Sequence, residues 1–151
     1  MSKYAQGTYQ ILNPEKYAGK KLPYYRSSWE NSFCRFCDNN PAIIQWSSES
    51  IMIPYVNPFT GKKTIYIPDF FIVYMNKKGQ RKGEVIEVKP FSQVAMENTK
   101  SMRDKASVAL NTAKWTAARA WCKSQGVTFR IVTEFDIYHT GPKKKGPKKK
   151  R

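Results

Sequence analysis

Ile65-Tyr-Ile-Pro-Asp69-Phe-Phe-Ile-Val-Tyr-Met75, a polar turn at Asn76-Lys-Lys-Gly79, and then Gly83-Glu-Val-Ile-Glu87-Val-Lys89-Pro90 form the stretch on which the rest of the chain depends. Both halves are rich in the β-branched and aromatic residues that favour strands, and an Asn/Gly turn separates them, so the pattern predicts an antiparallel hairpin. Its oddity is charge inside apolar strands. Side chains alternate between the faces of a strand, so Glu87 and Lys89 share one face, and Asp69 shares a face with Ile67 and Phe71. If the hairpin pairs in register, two carboxylates and one ammonium meet at one partly buried spot. Neighbouring carboxylates repel and are costly to desolvate, so the cluster needs a cation or a shared proton. A divalent metal meets that need, and a structural salt bridge at the rim of the sheet is the alternative.

With 151 residues and 40% hydrophobic content, the chain has enough material for one globular domain with a moderate core. The net charge of +16 points to a polyanionic partner, DNA or RNA before acidic proteins. A membrane partner is disfavoured: the apolar run Phe70 to Met75 is far shorter than the about 20 residues a spanning helix needs. No signal peptide is visible at the N-terminus. The single histidine, His139, leaves little for serine-histidine or histidine-metal chemistry. Cys34 and Cys37 have zinc-like spacing but fall in a predicted helix, and no small-molecule cofactor motif is present.

Working outward, residues 1–25 read as an extended arm that docks its tyrosines on the body, and residues 26–140 as the domain. Ser27 or Ser28 caps a helix carrying Trp29, Phe33 and Phe36 or Cys37 as its apolar stripe, with Glu30 in the first turn. Asn39-Asn40-Pro41 ends it. Short strands are expected at Ala42 to Trp46 and Ile51 to Ile53, with Glu49 in the turn between them. Glu49 is a further candidate ligand or a solvated turn residue. A long helix, Thr99 to Gln125, is stopped by Gly126; Met102, Ala106, Ala109, Leu110, Ala113, Ala117, Ala120 and Trp121 are expected to face the sheet. Arg103, Lys114 and Arg119 lie mostly off that stripe and are candidates for phosphate contacts. Val127 to Val132 reads as a last strand and Glu134 to His139 as a short terminal element. Residues 141–151, carrying Lys143, Lys144, Lys145, Lys148, Lys149, Lys150 and Arg151, read as a low-complexity basic tether for nucleic acid.

Pro68-Asp69 followed by Glu87-Val88-Lys89 resembles the PD-(D/E)xK nuclease motif. The element order resembles the restriction-endonuclease-like core, an α/β (α+β) fold with a mixed central sheet flanked by helices. More closely, Tyr25-Arg-Ser-Ser-Trp-Glu30, Asn39-Asn-Pro41, Ile44-Gln-Trp-Ser-Ser-Glu49, Ile53-Pro-Tyr55, the hairpin and Lys114-Trp115 are similar to the head completion proteins of T4-like tailed phages. The resemblance implies a DNA nuclease site with one or two Mg²⁺ ions on Asp69, Glu87 and the Val88 carbonyl. Lys89 would orient or deprotonate the attacking water, and Glu30 would complete the shell. It also implies action at the portal vertex after genome packaging and before tail joining, with portal, neck or head proteins as partners, in the virion and the host cytoplasm during assembly. The alternative is a structural head or neck component that binds DNA and capsid proteins with little or no cleavage.

Overall fold

The computed structural model describes residues 6–94 and 101–138. The first described segment is an arm: β1 (Gly7–Thr8) pairs antiparallel with β2 (Tyr24–Tyr25), and a short 3-10 turn spans Pro14–Lys16. α1 (Ser28–Asn39) follows, capped by the Ser27 hydroxyl, which accepts from the Glu30 N–H at 3.1 Å. Its buried side is Phe33, Cys34 and Cys37, as the helical spacing predicts.

The central sheet is mixed and four-stranded. β3 (Ile43–Ser48) lies antiparallel to β6 (Phe70–Met75), which pairs antiparallel with β7 (Arg81–Val88), and β8 (Thr128–Val132) runs parallel to β7 at the edge. A separate two-stranded ribbon, β4 (Ile53–Val56) and β5 (Lys63–Tyr66), stands beside it. α2 (Phe91–Val94), α3 (Met102–Gln125) and α4 (Glu134–Tyr138) complete the fold. His139 and the basic tail lie outside the described residues.

The expected hairpin is present, but its first strand is broken. Ile65 and Tyr66 belong to the ribbon, and pairing with β7 begins at Phe70. Pro68 causes the break: it is fully buried and has no N–H to give to a ladder, so the extended chain changes partners across it.

Two cores result. One side of the sheet, with Trp46, Phe70, Ile72, Ile86, Val88 and Val132, packs on α1. The second is smaller: Ala118, Trp115, Ala117 and Trp121 of α3 meet Ile53 and Tyr66 of the ribbon and Phe129 of β8. The stripe expected on α3 is therefore displaced. Met102 is 80% exposed and Ala120 is exposed, whereas Ala118 and Cys122 are the buried positions. Most of the alanines lie along one side of this helix, but the bulkier Trp115 and Cys122 lie round the axis from them beside Ala118, and it is that side which the ribbon covers. Gly126 takes the left-handed conformation (φ 73°) and closes the helix, as expected.

The arm is fastened at Asp38, a carboxylate with no exposed surface. It accepts from the Tyr9 hydroxyl at 2.8 Å, the Leu12 N–H at 2.7 Å and the Asn13 N–H at 3.0 Å. Lys16 returns the favour to the helix end, donating to the carbonyls of Asp38 and Asn40. Tyr9 and Tyr17 then pack edge-on against Trp46, with ring centroids 6.0 and 4.8 Å away.

Burial by itself would push the Asp38 carboxyl up, but the bonds from Leu12, Tyr9 and Asn13 outweigh it and hold the group below its usual range. A lowered folded-state pKa means the stabilisation is complete above the unfolded value, about 3.9, and is lost as pH falls through the lower folded value. Asp38→Ala is expected to cost on the order of 3 kcal/mol and to remove that acid-dependent part of the stability. Urea unfolding between pH 3 and pH 7 measures both.

Candidate active site

The antiparallel pairing of β3, β6 and β7 brings the end of β3, the start of β6 and the end of β7 to one edge of the sheet. Phe70 pairs with Ile86, so one step outward Asp69 stands opposite Glu87. Asp69 Oδ2 accepts from the Val88 N–H at 2.7 Å, which fixes that carboxylate against β7. Glu87 is buried; its Oε1 accepts from the Tyr66 hydroxyl at 2.5 Å, and Lys89 Nζ lies 3.8 Å from its Oε2. Glu49 turns the chain at the end of β3 with a left-handed backbone (φ 51°), and its N–H donates to the Asp69 carbonyl at 2.9 Å.

Glu30 enters from the first turn of α1, where its Oε1 accepts from the Arg26 N–H at 3.1 Å. The Arg26 guanidinium forks onto Glu49, with Nε 3.0 Å from Oε2 and Nη2 3.3 Å from Oε1. Lys114 of α3 reaches the same neighbourhood: its Nζ is 5.7 Å from the centroid of the Tyr66 ring.

All three central carboxyls are driven toward protonation. For Asp69, burial is the first cause, followed by the charges of Glu87 and Glu30. Burial also raises Glu87, against the Tyr66 hydrogen bond and the charges of Lys89 and Lys114. Glu30 is pushed up to about 7 by burial and then by Glu49 and Glu87, with the Arg26 N–H pulling the other way. A cluster whose members raise one another holds negative charge that the protein itself leaves partly uncompensated.

The structure thus gathers Glu30, Glu49, Asp69, Glu87, Val88 and Lys89 at one sheet end, with Lys114 beside them. Arg103 and Arg119 are exposed on α3, the latter with its guanidinium 5.7 Å from the Phe129 ring centroid. Lys143, Lys144, Lys145, Lys148, Lys149, Lys150 and Arg151 lie outside the described residues. Sequence reasoning missed Tyr66 and Arg26. Tyr66 alternates with Asp69 along the strand and so reads as facing away from it; only the separate ribbon brings its hydroxyl to Glu87. Arg26 carries no sequence signal beyond its place just before the cap of α1.

A family profile described as "TnsA-like endonuclease N terminal" matches residues 40–134, a span that contains Asp69, Glu87 and Lys89. The chain belongs to the TnsA-like endonuclease family. The head completion nuclease of Enterobacteria phage T4 is 37% identical to it across 85% of this chain and 90% of that protein. A mixed sheet flanked by helices is the architecture expected of such a restriction-endonuclease-like domain. Among the described residues, no helix of this TnsA-like chain is long and apolar enough to cross a membrane.

The donor set suits a hard divalent cation. Among the described residues no three Asp, Glu, His or Cys side chains stand close enough to enclose an ion. Mg²⁺ does not need such a cage: it is commonly held by one or two carboxylates and keeps several waters. Asp69 and Glu87 supply two carboxylates whose mutual repulsion such an ion would relieve.

Because that repulsion destabilises the metal-free fold, Asp69→Asn is expected to raise its Tm by about 2–4 °C in EDTA. Adding Mg²⁺ is expected to raise the Tm of the parent chain and to move that of the variant much less; differential scanning calorimetry with and without Mg²⁺ reads both shifts.

Proposed function

We propose that this protein is a Mg²⁺-dependent DNA nuclease of phage head completion, with its site at the sheet end formed by Asp69, Glu87 and Lys89. The observation that carries this reading is Asp69 standing opposite buried Glu87 with the Lys89 ammonium beside it. A structural salt bridge needs one acid for one base, whereas here Glu30 and Asp69 add negative charge to a pair already made. The likeness to the phage T4 head completion nuclease supports a role in head completion; in this reading the protein would act on packaged DNA at the portal vertex before tail joining, with portal, neck or head proteins as partners, in the assembling virion.

In this reading Asp69, Glu87 and the Val88 carbonyl would hold the ion, which when bound would lower the pKa of its water and offset charge on the scissile phosphate. The Lys89 ammonium, 3.8 Å from Glu87, would orient or deprotonate the attacking water and offset charge on the phosphate. Tyr66 keeps Glu87 Oε1 in place, and the Val88 N–H does the same for Asp69 Oδ2. Glu30, whose carboxyl burial pushes up to about 7, would complete the shell around the ion, directly or through a water. Lys114, Arg103, Arg119 and the basic tail contribute phosphate contacts without reading base sequence.

Purified protein is expected to cut linear duplex DNA in Mg²⁺ and not in EDTA. Asp69→Ala is expected to abolish cleavage and Lys89→Ala to slow it by about 100-fold or more, both with the native circular dichroism spectrum. Equal cleavage by parent and variants in a gel assay contradicts the assignment. Loss of phage assembly without any loss of cleavage would favour a structural role instead.

A further inference from the structure

The β4–β5 ribbon packs one face on α3, and among the described residues nothing covers the other. Ile53, Tyr55 and Tyr66 are turned to Trp115, Ala118 and Trp121, while Pro54 pairs with Ile65 and Val56 with Lys63 on the open side. Ile65 is 50% exposed and Ile67 is 47% exposed, whereas Tyr66, Pro68 and Phe70 between and beyond them are buried. Ile65 and Ile67 thus leave apolar surface exposed on one side of the chain, and the candidate carboxylate Asp69 follows two residues later, across the break at Pro68.

At its far end the ribbon closes through the loop 57–62, where Phe59 is 61% exposed. Lys62 and Lys63 adjoin it, and residues 51–68 contain these two lysines and no Asp or Glu. Large apolar side chains grouped on a surface mark a contact site. A two-stranded ribbon has dimensions that the major groove admits, aliphatic groups pack on thymine methyls, and an aromatic tip can wedge between base steps. Lysines without acids at such a tip favour a phosphate backbone over a basic or neutral protein surface. The Tyr66 hydroxyl bond to Glu87 ties the ribbon's position to that of the candidate site.

We propose that the β4–β5 ribbon is a DNA-contact element that grips the duplex beside the position to be cut. Its tip residues Phe59, Lys62 and Lys63 engage groove and backbone, and the Ile65–Ile67 row guides the strand to Asp69. The proposal rests on the DNA-nuclease reading above and adds to it a second point of grip, away from the reacting atoms.

The test is fluorescence anisotropy of a labelled linear duplex with the full chain in EDTA, where binding is measured without cleavage. The variants are Phe59→Ala and Lys62→Glu/Lys63→Glu; the control is Lys77→Glu/Lys78→Glu, the same charge change on exposed lysines in the turn between β6 and β7. Circular dichroism melts confirm that each variant is folded. The ribbon charge variant is expected to weaken binding by at least about tenfold and Phe59→Ala by about threefold, with the control changing it several times less. Parent-like binding by the ribbon variants, while the parent binds the duplex tightly, overturns the ribbon proposal alone and assigns its apolar face to a protein partner. Failure of the parent chain to bind duplex overturns both this proposal and the DNA reading under it.

Discussion

Glu87, buried, and Asp69, partly buried, face each other with like charge at the end of a sheet, and most of the surrounding structure compensates for that. The Val88 N–H points at one carboxylate and the Tyr66 hydroxyl at the other. Lys89 is the nearest countercharge, 3.8 Å from Glu87, and Lys114 adds a second positive field from α3. On the far side, Arg26 makes a two-point contact with Glu49, while Glu30 accepts from the Arg26 backbone N–H. Glu49 holds a left-handed backbone that costs a non-glycine residue about 1 kcal/mol. Strain and unrelieved charge gathered in one place are expected where a site is built for a ligand rather than for stability.

Much of this was legible in the chain. The alternation of Asp69, Glu87 and Lys89 with apolar neighbours predicted that they converge, and the strand register brings them to the same sheet end. Ser27 as the cap of α1 and Gly126 as the stop of α3 follow from local backbone chemistry and appear as expected. What could not be read depends on contacts between distant segments. The partner change at Pro68 places Ile65 and Tyr66 in a ribbon instead of the hairpin, and that one change turns Tyr66 from an outward-facing residue into a hydrogen-bond donor to Glu87. The alanines of α3 mark one side of its axis in the sequence, but the neighbouring side with Trp115, Ala118 and Cys122 is the one buried, because Trp115 and Ala118 pack against the ribbon. Asp38 is a similar case: an acid in a helix reads as solvated until the arm covers it.

Trp46, Phe70 and the residues around them hold α1 to the sheet directly beneath the carboxylate cluster, and Asp38 holds the arm at the other end of α1 from Glu30. The cluster itself sits where α1, β3, β6 and β7 meet. In the proposed reading an incoming phosphate would meet groups positioned by several rigid elements, which suits chemistry that depends on preorganised charge more than on any covalent step by the protein.

The central claim is that Asp69 and Glu87 together form a cation site. Its most direct test is a crystal soaked in Mn²⁺ and measured at the manganese absorption edge. An anomalous peak between the two carboxylates and the Val88 carbonyl, absent from crystals of Asp69→Ala, is the result this account predicts. A fully soaked crystal with manganese bound elsewhere and none at that position would contradict it.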